Sequence, residues 1–107
     1  MPLYLIQASY SAAATAAMVK NPQDRAAAVS KMIKAVGGKL HGLWLAFGEY
    51  DIVVISEVPD NVTAAAIAMA IGSSGAVTAF RTTPLLSAGE SVEAMKKAAE
   101  VAYKPPK

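Results

Sequence analysis

The 107-residue chain has no cysteine, one histidine and one tryptophan, and only 17% of its residues are charged. Without cysteine there is no disulfide framework, thiolate zinc site, iron–sulfur cluster or cysteine nucleophile. A single histidine excludes any site that takes two imidazoles from one chain. Long apolar runs are also missing. The Ala-rich stretch 64–71 falls well short of the ~20 residues that cross a bilayer, so no membrane partner is expected. The first base is Lys20, so the N-terminus lacks the positive region of a secretory signal, and a cytoplasmic protein is the expectation. What is abundant is apolar surface, 54% of residues. That is too much for a disordered segment, and the length suits one domain of ~100–150 residues covering 1–107.

The formal net charge of +2 is unevenly placed. Residues 1–95 carry six bases against seven acids; residues 96–107 carry Lys96, Lys97, Lys104 and Lys107 against Glu100. The basic excess therefore sits in the last helical segment and a Lys/Pro tail at about 103–107. A nucleic-acid surface needs clustered bases with aromatics or a reading helix. The two arginines, Arg25 and Arg81, are far apart in the chain, so nucleic acid is not expected as a partner.

Patterning along the chain predicts an ordered series of elements. Residues 3–10, dense in aliphatics and tyrosine, suit a strand. Ser11 then caps an Ala-rich helix that Asn21-Pro22 interrupts, because an internal proline removes a helical donor. Val29, Met32, Ile33 and Val36 recur at helical spacing, and Gly37-Gly38 closes that helix. Residues 39–47 and 50–58 predict two strands joined tightly at Gly48-Glu49, with Pro59 as the stop. By simple parity His41 shares a face with Leu43, Leu45 and Phe47. Asp60 or Asn61 caps a helix over 62–72, residues 76–84 form a fourth strand ended at Pro84, and Ser87 with Glu90 has capping-box spacing for a helix over about 88–102.

The order β-α-β-β-α-β plus a C-terminal helix is that of the ferredoxin-like α+β fold, an antiparallel sheet with its main helices on one face. Such a sheet should be polar on its free face. Here Ile52 and Val54 oppose Val53 and Ile55, and Leu3 and Leu5 oppose Tyr4 and Ile6. At ~25 cal/mol per Å² of apolar surface, leaving one of these faces in water forfeits many kcal/mol. The expected remedy is a homodimer formed through the sheet faces, with higher oligomers open.

The chain reads Gly48-Glu49-Tyr50-Asp51 between Ala46-Phe47 and Ile52-Val53-Val54-Ile55. It also has Gly37-Gly38-Lys39-Leu40, Pro59-Asp60-Asn61 and Arg81-Thr82-Thr83-Pro84-Leu85. On these residues it resembles the GYD-domain family of small bacterial proteins over about residues 2–98. One residue, Glu49, stands between Gly48 and Tyr50, a spacing the family pattern often shows too. The resemblance implies a ferredoxin-like fold and kinship with dimeric α+β-barrel proteins, among them small monooxygenases, haem-degrading enzymes, muconolactone isomerases and stress-responsive dimers. It implies no particular reaction.

Candidate chemistry is sparse. Imidazole is the side chain whose reference pKa lies near neutrality, so His41 alone could serve as a general base or axial haem ligand; a solvent-exposed strand-end histidine is the plainer account. Asp51 is the other candidate base. Tyr50 precedes it, so the two should point to opposite strand faces; packing across the hairpin is the plainer role for Tyr50. Trp44, Tyr4, Tyr10 and Phe80 come from different strands and either line an aromatic pocket or fill core and dimer interface. Arg81 either anchors an anionic substrate or pairs with Glu57. Met32 and Met69 read as core. No Ser-His-Asp set, P-loop, dinucleotide fingerprint or acidic metal cluster is present, and the residues point to no particular cofactor. These features lead to a homo-oligomeric domain binding a small apolar or aromatic molecule between sheet and helices. The alternatives are a monooxygenase or isomerase acting on an aromatic compound, with His41 or Asp51 as base and Tyr50 or Trp44 orienting substrate, and a purely structural assembly-forming protein.

Overall fold

Eight elements follow one another in the computed structural model, which describes residues 1–107: β1 (Leu3–Tyr10), α1 (Ala12–Lys20), α2 (Arg25–Ala35), β2 (Lys39–Leu45), β3 (Ile52–Glu57), α3 (Asn61–Ser73), β4 (Val77–Leu85) and α4 (Ala88–Ala98). Each helix begins where a short polar side chain takes up an otherwise orphaned backbone N–H. Ser11 accepts from Ala14, Asp24 from Ala26, Asp60 from Thr63 and Ser87 from Glu90. At Ser87 the Glu90 carboxylate also accepts from the Ser87 N–H, which completes a capping box. The helix α2 ends on Gly37 at φ 82°. Gly38 N–H donates to Ile33 O at 2.9 Å and Gly37 N–H to Lys34 O at 3.0 Å, the paired bonds of a Schellman ending.

The strands form one antiparallel sheet in the order β2-β3-β1-β4, the ferredoxin-like arrangement. Alternation divides it into two faces. Tyr4, Ile6 and Ala8 of β1 and Ile52, Val54 and Ser56 of β3 are buried, together with Ile33 of α2 and Ala64 and Ile67 of α3. The opposite face carries Leu3, Leu5, Val53 and Ile55, all half-buried, with Leu85 of β4 and Trp44 of β2. Trp44 is 54% exposed. Its indole lies against Gly42, where a Cβ would come within 2.4 Å of the ring. Only ten of 107 residues are buried, because this second apolar face has no helix over it.

Five details differ from the sequence expectation, the first being Met69, read as core but 73% exposed on α3. A bulge between Leu40 and Gly42 shifts the register of β2, so Leu40 packs on the core with Leu43 while His41 swings to the helix-free face and meets Glu57. Residues 46–51 form a six-residue connection instead of a two-residue turn. Pro84 lies inside β4 instead of ending it; β4 is an edge strand, where a missing N–H disrupts no ladder. The helix α4 ends at Ala98. None of its residues is buried, and Val92 and Met95 are 48% and 67% exposed. This projecting helix stretches the chain to 56 Å and its radius of gyration to 17.1 Å, against ~13 Å for a compact chain of this length.

Gly38 lets the α2 terminus close onto the end of β3. A Cβ there would lie 2.4 Å from the carbonyl oxygen of Glu57 and 2.9 Å from Ile33 Cγ2. Backbone cannot step aside, so Gly38→Ala should lower the unfolding free energy by roughly 1–3 kcal/mol, read as a lower urea midpoint. At the start of α3 the Asp60 carboxyl is held below its ordinary value of 3.8 because it accepts from the Thr63 N–H, then from the Thr63 hydroxyl. A depressed folded-state value means this contribution is complete above the ordinary value and disappears as pH falls through the folded one. Asp60→Asn should therefore flatten the loss of stability below about pH 4, measured by urea unfolding across an acid series.

Candidate functional site

Between the sheet and the helices lies an apolar cavity of about 180 Å³. Its floor is Ile6, Ala8, Ile52 and Val54 of the two central strands, its roof Val29, Met32 and Ile33 of α2 and Ile67 and Ile71 of α3, and Phe80 closes one side. The cavity exists because two short helices roof a four-stranded sheet and small residues sit between them. Ala8, Ala28 and Ala76 line the wall where larger side chains would fill it. Polar groups are few: the Tyr10 phenol, Ser74 and the guanidinium of Arg25.

A wider open groove of about 660 Å³ lies alongside, bordered by Met18, Val19 and the Pro22–Arg25 segment on one side and Leu43, Leu45, Asp51 and Ile52 on the other. Tyr10, Arg25 and Ile52 belong to both spaces. The interruption after α1 places Arg25 there. The chain breaks at Asn21-Pro22, restarts at the Asp24 cap and sets Arg25 as the first residue of α2. Arg25 lies four residues before Val29 and seven before Met32, so it falls on the same stripe as the core-facing residues of the helix. Its Nη1 donates to Gln23 Oε1 at 2.9 Å. Its Nε is buried and has no acceptor.

Asp51 does structural work at the sheet end. Its Oδ2 accepts from the Tyr10 N–H at 2.8 Å, its N–H donates to Ala8 O at 2.9 Å, and its carbonyl accepts from Ala46 N–H at 2.7 Å. One residue thus ties β1 to the mouth of the β2–β3 hairpin. His41 Nε2 lies 3.0 Å from Glu57 Oε1 on the helix-free face, so the two candidate bases stand on opposite sides of the sheet. Of the candidate ligand residues, Tyr10 lines the cavity and the groove. Tyr4 is buried, its hydroxyl donating to Asn61 Oδ1, and it borders a separate, more open hollow against α3. Tyr50 is half-buried in the 46–51 connection and borders neither space. Trp44 and Arg81 lie on the helix-free face, Arg81 opposite Gln7. Arg81 does not pair with Glu57, whose partner is His41. Sequence reading missed Arg25, although a charge in step with an apolar helical stripe was the signal for it.

The GYD-domain family matches residues 4–98 of the chain. The protein belongs to the GYD-domain family. Comparison with curated proteins gives no match. Two solved structures are similar to this GYD domain. One, described as the crystal structure of FFRP-DM1, has a TM-score of 0.53 at 17% identity and covers 80% of this chain and all of its own. The other, a hypothetical protein PHS023 from Pyrococcus horikoshii, has a TM-score of 0.51 at 16% identity and covers 81% of this chain and 92% of its own. At such identities the likeness establishes the fold alone, and it agrees with the ferredoxin-like strand order. No group of three or more His, Cys, Asp or Glu side chains is placed to hold a metal ion, and no helix is long and apolar enough to cross a membrane.

The clasp at Asp51 leads to a contrast between two substitutions. Asp51→Ala leaves the Tyr10 N–H without its acceptor and should cost roughly 1–3 kcal/mol, with faster hydrogen exchange at the Tyr10 amide. Asp51→Asn keeps an amide oxygen at the same reach and should retain most of the protection.

Proposed function

We propose that this GYD domain is a homodimeric carrier or sensor that binds a small apolar molecule between its sheet and helices. The observation that carries this reading is the 180 Å³ cavity lined by 14 hydrophobic residues out of 16. An apolar hollow of ~150 Å³ stays dry and takes up a benzene-sized guest, so this one has room for a single ring with a short substituent. The few polar groups at its wall suit orienting a guest better than transforming one, since neither His41 nor Asp51 borders the cavity.

The second copy follows from the helix-free face. Leu3, Leu5, Val53, Ile55, Leu85 and Trp44 form an aliphatic and aromatic patch reaching all four strands, with Gln7, Arg81, Glu57 and His41 on the same face. Four strands at about 4.8 Å and eight residues at about 3.4 Å make a plate on the order of 500 Å². That is more than half of the ~800 Å² per partner of a stable interface. A like copy laid face to face is the occupant that fits a flat surface with aliphatic side chains in every central row.

Native mass spectrometry of protein purified from its own host tests both parts. The expected result is a dimer retaining a small apolar compound; a ligand-free protein that also fails to take up small aromatic molecules overturns the binding reading. In sedimentation equilibrium the native chain should be a dimer at micromolar concentration, and Ile55→Glu should shift it to monomer while the helix-side cavity stays intact. A folded native monomer would overturn the dimer.

A further inference from the structure

We propose that the cavity takes an apolar molecule carrying one carboxylate, held by the Arg25 guanidinium at the junction of cavity and groove. This inference rests on the cavity being a binding site and specifies the class of its ligand. A guanidinium presents five N–H donors in a fixed fork, and its Nε–Nη2 edge matches the two oxygens of a carboxylate. In Arg25 the hydrogen bond to Gln23 uses Nη1, which leaves that edge free, and Nε is buried without an acceptor. An unpaired buried donor is costly, more so on a cation. No carboxylate of the chain meets the need. None lines the cavity, and the ion pair present in the chain joins His41 and Glu57 on the far side of the sheet.

Two features narrow the ligand. Asp24 and Asp51 border the groove next to Arg25, although Asp24 accepts from the Ala26 N–H and Asp51 from the Tyr10 N–H. One cation with two carboxylates nearby suits a monoanion and disfavours a phosphate dianion. The remaining lining is aliphatic and aromatic, with Ser74 and the Tyr10 phenol as the other hydrogen-bonding side chains. The apolar body therefore lies under Val29, Met32 and Ile71, and the acid group points toward the groove.

Isothermal titration of the full-length protein with 3-phenylpropanoate and 3-phenylpropan-1-ol separates the parts of this claim. The native protein should bind the acid roughly tenfold or more tightly than the alcohol, as befits hydrogen bonds to a charged group. In Arg25→Leu, which keeps the apolar stem, the acid should weaken to the level of the alcohol while the alcohol is unchanged. Arg25→Lys keeps the charge without the two-toothed edge and should lose roughly threefold or more for the acid alone; it serves as the test should the leucine variant fold poorly. Equal binding of acid and alcohol by the native protein, or an acid preference that survives in both variants, would overturn the role of Arg25 and leave the cavity reading standing. Failure of the native protein to bind either compound would overturn the cavity reading and this inference together.

Discussion

Strand alternation is the constraint on which this molecule turns. Every residue of β1 and β3 must face one side of the sheet or the other, and both sets are mostly apolar. Two helices, α2 and α3, cover one side. Ile33, Ile67, Ile6, Val54 and their neighbours are thereby buried and form the core, while Leu3, Leu5, Val53 and Ile55 stay half in water. Because the core is one-sided and thin, nearby features depend on small devices at the sheet ends. The close approach of Gly38 to Glu57 sets how α2 lies on the sheet, and two hydrogen bonds of Asp51, with Tyr10 and Ala8, hold β1 to the hairpin.

The cavity follows from the same economy of covering. With alanines at positions 8, 28 and 76, the roof helices leave a space that nothing in the chain fills. The proline break that separates α1 from α2 opens the adjoining groove and delivers a cationic residue to the boundary between them. An arginine in that place is unfavourable for folding unless something gives its buried donor a partner. A conflict between local stability and placement of this kind is where binding is expected to sit, since functional sites are where proteins depart from self-consistent packing.

The architecture was legible in the sequence because its signals are strong and local. A short run dense in apolar residues marked β1, the tight connection and the Pro59 stop marked β3, the stripe Val29-Met32-Ile33 marked α2, and the spacing of Ser87 and Glu90 marked a capping box that the structure contains. The bulge in β2 was not legible. One extra residue inverts the side of everything before it, and nothing local distinguishes His41 as that residue. Pro84 misled because a proline stops a strand only where its missing N–H is needed, which depends on whether the strand lies at an edge. The site was harder still. Tyr10 was among the named residues and does line the cavity, but Trp44 and Arg81 were placed on strands without a means of telling which face the helices would occupy. Arg25 reads in the sequence as an isolated charge, and its step of four and seven residues to Val29 and Met32 is the feature that puts it on the apolar stripe.

The two rims of the sheet carry a consequence of their own. One rim, β2, is interrupted by the bulge at Leu40–Gly42; the other, β4, contains Pro84. A smooth rim of unpaired N–H and C=O groups is a template on which further strands can grow, and both devices spoil it. A sheet with oil on its open side would otherwise be prone to unlimited lateral growth into fibres. With both margins blunted, strand addition at either rim is disfavoured, and the broad open face is left as the larger apolar surface.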